Sequence, residues 1–220
     1  NYIVIEHQWD DSPYYSLYVH LSVVRVKTGQ RVQRGEAVAT MGYTGEGLNQ
    51  ARAHLHLELN LMFSRQFETW HDTFSKNDPN HHGIFNGLNL AGLDIARLYL
   101  ALAKNAALTI PEFLAGEEIF YKVIIPDSRH FDLRQFYPWM LRGAPEGTGS
   151  AGWEVSFNSA GVPLKIAASK KTVREPELAF VRKGPGDYSY LTRGVVGGRS
   201  DSGFLTDSGK RQMCLLYFPD

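Results

Sequence analysis

Apolar and polar residues alternate along much of the first sixty positions of the chain. Tyr2 to Glu6 and Tyr14 to Leu21 are rich in β-branched and aromatic residues, the composition of strands. HLHLELNL, residues 54 to 61, alternates four leucines with polar residues and predicts a strand over Ala53 to Leu61. Between these lies VKTGQRVQRGEAVATMGYTG. Its Gly29, Gly35 and Gly42 recur at intervals of six and seven, and Val26, Val32 and Val38 at intervals of six. Short strands broken by turn glycines are expected there, wound into a small β-barrel or sandwich.

The pattern changes after residue 62. SKNDPNHHGIFNGLN, residues 75 to 89, is dense in turn formers and is expected to be loop. Ile95, Leu98, Tyr99 and Leu102 fall at i, i+3, i+4 and i+7, the apolar stripe of a helix. Thr109 and Glu112 have capping-box spacing, with Pro111 early in the turn, which predicts a short second helix. IFYKVII predicts a strand that Pro126 ends. GAPEGTGSAG, residues 143 to 152, reads as a small-residue linker. Beyond it WEVSF, PLKIAA, LAFVRK, YSYLTRG and RQMCLLYF read as strands and turns.

The expected fold class is therefore mainly β with a small helical segment. A compact antiparallel barrel or sandwich core occupies residues 1–62, and a mixed loop and helix segment, a lid or connector, occupies 63–142. The linker follows at 143–152, and a β-rich C-terminal module fills 153–220.

Composition narrows the function classes. The 220 residues are 43% hydrophobic and 12% aromatic, enough for a sizeable packed core. Lys plus Arg equals Asp plus Glu at 23 each, so no charge bias points to nucleic acid or an anionic membrane. No apolar run approaches the roughly 20 residues of a membrane-spanning helix. The lone Cys214 excludes an intrachain disulfide and any multi-cysteine metal site. The chain opens on Asn1, inside an alternating strand pattern, and is expected to be a processed or truncated piece that starts within a sheet.

The candidate chemistry rests on histidines. Residues i and i+2 of a strand share a face, so His54 and His56 are expected side by side, opposite Leu55, Leu57, Leu59 and Leu61. Two such imidazoles can bind zinc together, or one can bind while the other moves protons. Two solvent-facing histidines on a half-buried strand are the plainer alternative, and spacing alone leaves all three open. His20 ends a strand in YVHL. His81 and His82 lie in the polar loop, where a lid or substrate contact competes with a solvated turn. His7, His71 and His130 lack partners nearby in sequence and read as structural or exposed. Asp10 and Asp11 read as a turn, and Glu117 and Glu118 as solvated. Neither a Gly-x-Ser-x-Gly nor a His-Glu-x-x-His motif occurs, nor a phosphate-binding glycine loop.

The order of YVHLS, the Val/Gly segment and HLHLEL resembles the lysostaphin-type zinc metalloendopeptidases, which cut peptidoglycan cross-links. Tyr18 to Leu21, Val26 to Gly35, Gly42 to Gly45 and His54 to Glu58 carry the resemblance, over about residues 1 to 62. Glu46 to Ala53 is a longer connection than the family's. The resemblance implies a peptidase core, incomplete at its N-terminus. It implies that His56 is a zinc ligand, that His54 is the catalytic histidine beside the metal, and that His20 is a second catalytic histidine. It also implies Zn2+ as cofactor, peptidoglycan peptides as substrate, and the bacterial periplasm, cell wall or exterior as location.

The family's other two ligands come from a His-x-x-x-Asp motif upstream of the Tyr-x-His-Leu strand. His7 and Asp11 have that spacing, but NYIVIEHQ matches the family strand just after the motif, whose histidine is not a ligand. The remaining His and Asp are thus expected upstream of Asn1, in a portion cleaved away, disordered or kept as a separate chain. A catalytically inactive relative acting as a wall-binding or regulatory domain is the alternative. A lipoyl or biotin carrier has a similar Val/Gly rhythm and would require modification of Lys27.

Overall fold

A computed structural model describes residues 1–143 and 151–218, so residues 144–150 of the expected linker lie outside the described residues. The fold is mainly β. Strands β1 (Tyr2–Trp9) and β2 (Ser12–Val19) form a hairpin. Its turn residues Asp10 and Asp11 both have positive φ, 51° and 55°, the backbone of a tight primed turn. Strand β3 (Leu21–Val24) pairs with β4 (Ala39–Met41), and β5 (His56–Met62) pairs with β2. Helix α1 (Phe67–Phe74) and strand β6 (Leu90–Gly92) follow, and β6 completes an antiparallel sheet in the order β1-β2-β5-β6.

Of the expected barrel or sandwich, no closed barrel forms among the described residues: the sheets are open. The Val/Gly segment makes an excursion between β3 and β4 with no strand over residues 25–38. Gly29 and Gly35, at φ 81° and 83°, turn an exposed loop instead of the corners of a closed sheet.

The predicted helices appear as α2 (Ile95–Lys104) and α3 (Ile110–Ala115). In α3 both halves of the capping box form between Thr109 and Glu112. Strand β7 (Tyr121–Pro126), helix α4 (Leu133–Phe136) and strand β8 (Leu141–Arg142) precede the linker. After it come β9 (Gly152–Phe157), β10 (Pro163–Ser169) and β11 (Glu177–Val181), then α5 (Tyr188–Leu191), the hairpin of β12 (Val196–Arg199) and β13 (Ser202–Leu205), and α6 (Asp207–Tyr217).

Two C-terminal strands were expected where helices stand. YSYLTRG begins as α5, capped by the Asp187 side chain. RQMCLLYF lies in α6, whose Thr206 side chain accepts from the Gly209 amide. Met213, Leu216 and Tyr217 fall at i, i+3 and i+4 and are buried, so the helical period outweighed the β-rich composition. Glu117 is not solvated either: only 12% exposed, it pairs with Arg97 at 2.6 Å.

One apolar core runs through the described chain. The second sheet, ordered β11-β7-β9-β10-β8, takes β7 and β8 from before Gly143 and the other strands from Gly152 onward. Its core residues, such as Val123, Val155 and Ile166, are continuous with Tyr14, Leu61 and Met62 of the first sheet. Between the sheets, the buried Tyr137 hydroxyl accepts from the Met62 amide at 2.8 Å. Asp132 accepts from the Arg65 amide at 2.6 Å and the Ser64 hydroxyl at 3.1 Å. The Trp70 indole of α1 donates to the Arg211 carbonyl of α6. No helix among the described residues is long and apolar enough to cross a membrane.

Register fixes which residues share a face of the first sheet. Tyr2, Val19 and His56 pair in one row, and Val4, Leu17 and Glu58 in the next, all on one face. Leu57, Leu59 and Leu61 occupy the opposite face. There Leu57 and Leu59, with Tyr18, border a cavity of about 420 Å³ whose far wall includes Ile95, Leu98, Tyr99 and Leu102 of α2.

Candidate active site

The sheet face carrying His56 is where the sequence-predicted histidines meet. Strand alternation alone would point His20 away from it, because Val19 pairs with His56 and His20 is the next residue. The chain breaks there: His20 has φ 66°, a left-handed conformation that a non-glycine residue adopts only at a cost. The break swings its ring to 4.8 Å from that of His54, edge-on at 62°, and to 5.8 Å from that of His56, centroid to centroid. His54 lies before the start of β5, after a 3₁₀ turn at Gln50–Arg52, so the expected strand over Ala53 to Leu61 is shorter at its N-terminal end. His54 therefore joins the site from outside β5, its ring against that of His20.

The Gly-x-Thr-Gly stretch holds His20 in place. Gly42 approaches Ser22 so closely that a Cβ would sit 2.7 Å from its Cβ and backbone nitrogen. The Thr44 hydroxyl donates to the Leu21 carbonyl at 3.0 Å, and the Thr44 carbonyl lies 2.8 Å from His20 Nδ1. Gly45, at φ 139°, backs the same ring: a Cβ there would lie 3.3 Å from His20 Nδ1.

Hydrogen-bond partners assign the ring nitrogens. A carbonyl oxygen only accepts, so His20 Nδ1 must carry hydrogen. The same holds for His54, whose Nδ1 is 2.8 Å from the Arg52 carbonyl. In their neutral forms both rings therefore keep the Nε2 lone pair, ready to take a proton. His56 is the reverse. Its Nε2 donates to the Glu58 carboxylate at 2.7 Å, which leaves the Nδ1 lone pair free. The other Glu58 oxygen accepts from the Asn60 side chain at 3.0 Å. An imidazole oriented by a carboxylate through one nitrogen and open at the other is the usual form of a metal-ligating histidine.

Glu58 had no role assigned from the sequence, although the strand period that pairs His56 with residue 58 was the signal for it. Thr44 and Gly45 carried only motif identity. His7 sits on the opposite face, its Nε2 2.7 Å from the Ser16 hydroxyl and its ring stacked on Trp9, and burial lowers its pKa. Asp11 stands in the hairpin turn. His82 reaches the histidine-bearing face, with Nδ1 3.2 Å from the Tyr2 hydroxyl.

Zinc requires three protein ligands with a further open position. Among the described residues, no group of three or more His, Cys, Asp or Glu side chains is placed to hold a metal ion. His56 could hold a metal through its open Nδ1, but the described residues do not complete a zinc site.

Residues 1–67 match the model of peptidase family M23. A peptidoglycan DD-endopeptidase of Vibrio cholerae serotype O1, ShyB, is 44% identical over 59 residues, which are 27% of this chain and 12% of that protein. A second from the same organism, ShyA, is 42% identical over 59 residues with the same coverage. The chain thus matches only a small part of either relative's length. No solved structure matches it significantly.

Proposed function

We propose that this chain, a peptidase family M23 segment over residues 1–67, is part of a zinc-dependent endopeptidase that hydrolyses peptide cross-links of bacterial peptidoglycan. The single observation that carries the reading is the convergence of His20, His54 and His56 with opposite nitrogen assignments. The two Vibrio relatives, each a peptidoglycan DD-endopeptidase by name, support that choice of substrate. That substrate puts the protein in the periplasm or outside the cell.

His56 Nδ1 is the position this chain offers the metal, with the remaining His and Asp ligands supplied from outside the described residues. Zinc held in such a site would supply a Lewis acid for the scissile carbonyl. The chain's own residues handle the protons. As a water oxygen bonds to the carbonyl carbon, an Nε2 of His20 or His54 takes its proton. As the C–N bond breaks, that proton passes to the leaving amine.

A second reading, a non-catalytic wall-binding or regulatory domain, rests on the metal set being incomplete among the described residues. Zinc content and turnover of the intact protein, upstream sequence included, separate the two. His54→Ala should abolish hydrolysis of cross-linked peptides while zinc stays bound, and His56→Ala should lose the zinc. Equal zinc loss in both variants refutes the division of roles. A wild-type protein without stoichiometric zinc refutes the enzyme reading.

A further inference from the structure

The loop that follows the matched segment carries a second feature onto the histidine-bearing face. Residues 79–89 are pinned there by polar side chains. The Asn80 side-chain Oδ1 accepts from the His82 backbone amide at 3.1 Å and from the Asn86 side chain at 3.3 Å, while its Nδ2 donates to the Gly83 carbonyl. Fully buried Asn89 donates to the Ser64 and Ile84 carbonyls and accepts from the Ser64 amide. Phe85 packs its ring 5.7 Å from that of Tyr15. The loop thus presents His82 in a set position. Its ring meets Tyr2 edge-on, 5.5 Å between centroids, with Nδ1 3.2 Å from the Tyr2 hydroxyl.

Tyr2 belongs to the same row of the sheet as Val19 and His56. Two strand spacings of about 4.8 Å separate it from His56, so the pair stands about 10 Å from the proposed reacting centre. An extended peptide advances about 3.3 Å per residue. A substrate lying across these strands therefore brings a residue about three positions from the scissile bond against Tyr2 and His82. Both side chains are exposed. When Tyr2 donates to Nδ1, the imidazole hydrogen sits on Nε2, free to donate outward.

We infer that Tyr2 and His82 form a substrate subsite, which binds a carbonyl or carboxylate oxygen of the peptide about three residues from the bond that is cut. The inference rests on the endopeptidase reading. It makes His82 a positioning residue, contributed by sequence beyond the family match, and gives the loop a part in specificity.

The test is steady-state kinetics of the intact protein on cross-linked stem peptides. Loss of one charge-assisted hydrogen bond predicts a KM about tenfold higher for His82→Ala, with kcat within about twofold of wild type. Zinc content and Tm stay unchanged. Tyr2→Phe, which releases the imidazole from its tether, raises KM less, and His82→Gln, which keeps a donor, recovers part of the loss. An unchanged KM in His82→Ala overturns the inference, and so does a loss confined to kcat. If the wild-type protein does not cleave, the endopeptidase reading fails on its own. Calorimetric binding of the uncut peptide then decides: weaker binding by His82→Ala upholds the subsite, and equal or no binding by both proteins overturns it.

Discussion

Replacing Tyr137 with Phe tests whether the residues beyond the family match hold the histidine-bearing strand in place. The Tyr137 ring is fully buried among Tyr14, Phe136 and Trp139, and Phe preserves that packing. Only the hydroxyl is removed, and it is the acceptor for the Met62 amide at the end of β5. The environment is dry enough to push the phenol pKa well up, with desolvation the largest cause. An amide stranded there costs about 1–3 kcal/mol. We expect about 2 kcal/mol, because ring, hydroxyl and amide are all enclosed. For a chain of this size that lowers Tm by about 4–8 °C. Urea unfolding followed by circular dichroism should show a lower midpoint with an unchanged slope, since the area buried on folding is unaltered. Tyr190→Phe, at a residue 89% exposed, is the control and should change nothing. A loss below about 0.5 kcal/mol in Tyr137→Phe would refute the claim that this bond anchors β5.

Glu58→Gln should leave stability within about 1 kcal/mol, since the His56–Glu58 pair is solvent-exposed. It should nonetheless weaken the preference of the His56 proton for Nε2, read by nitrogen NMR; an unchanged tautomer would refute the orienting role. Gly42→Ala drives a methyl into the Ser22 backbone and should cost about 1–3 kcal/mol while loosening the Thr44–His20 contact. Wild-type stability in that variant would contradict the close approach. Burial lowers the His7 pKa below its usual 6.5, so the folded state binds a proton less readily than the unfolded chain. Its contribution is therefore full above pH 6.5 and is lost as pH falls toward the depressed value. His7→Gln should flatten that acid-side slope, measured as unfolding free energy against pH, and an identical slope would exclude His7 as its source.

Much of the fold was legible from local pattern. Strands β1, β2 and β5 follow from alternating residues, and the capping box of α3 from Thr109 and Glu112. These features depend on neighbours within about four positions, so sequence spacing determines them. The C-terminal helix shows the limit of composition. Met213, Leu216 and Tyr217 carried a helical period, yet the aromatic and aliphatic content of RQMCLLYF read as strand. The continuity of β7 and β8 with β9, β10 and β11 was hidden too, because strand pairing across residues 143–152 is long-range.

The site divides along the same line. The identities of His20, His54 and His56, and their resemblance to a known peptidase pattern, stand in the sequence. Tertiary structure decided that they meet. It set the left-handed turn that brings His20 round and the Thr44 carbonyl that fixes its proton. It also carried His82 to Tyr2 across eighty residues of chain. Spacing encodes what a residue can do with its near neighbours. Which distant groups it faces depends on register and loop closure, and those are set by the packing of the whole sheet.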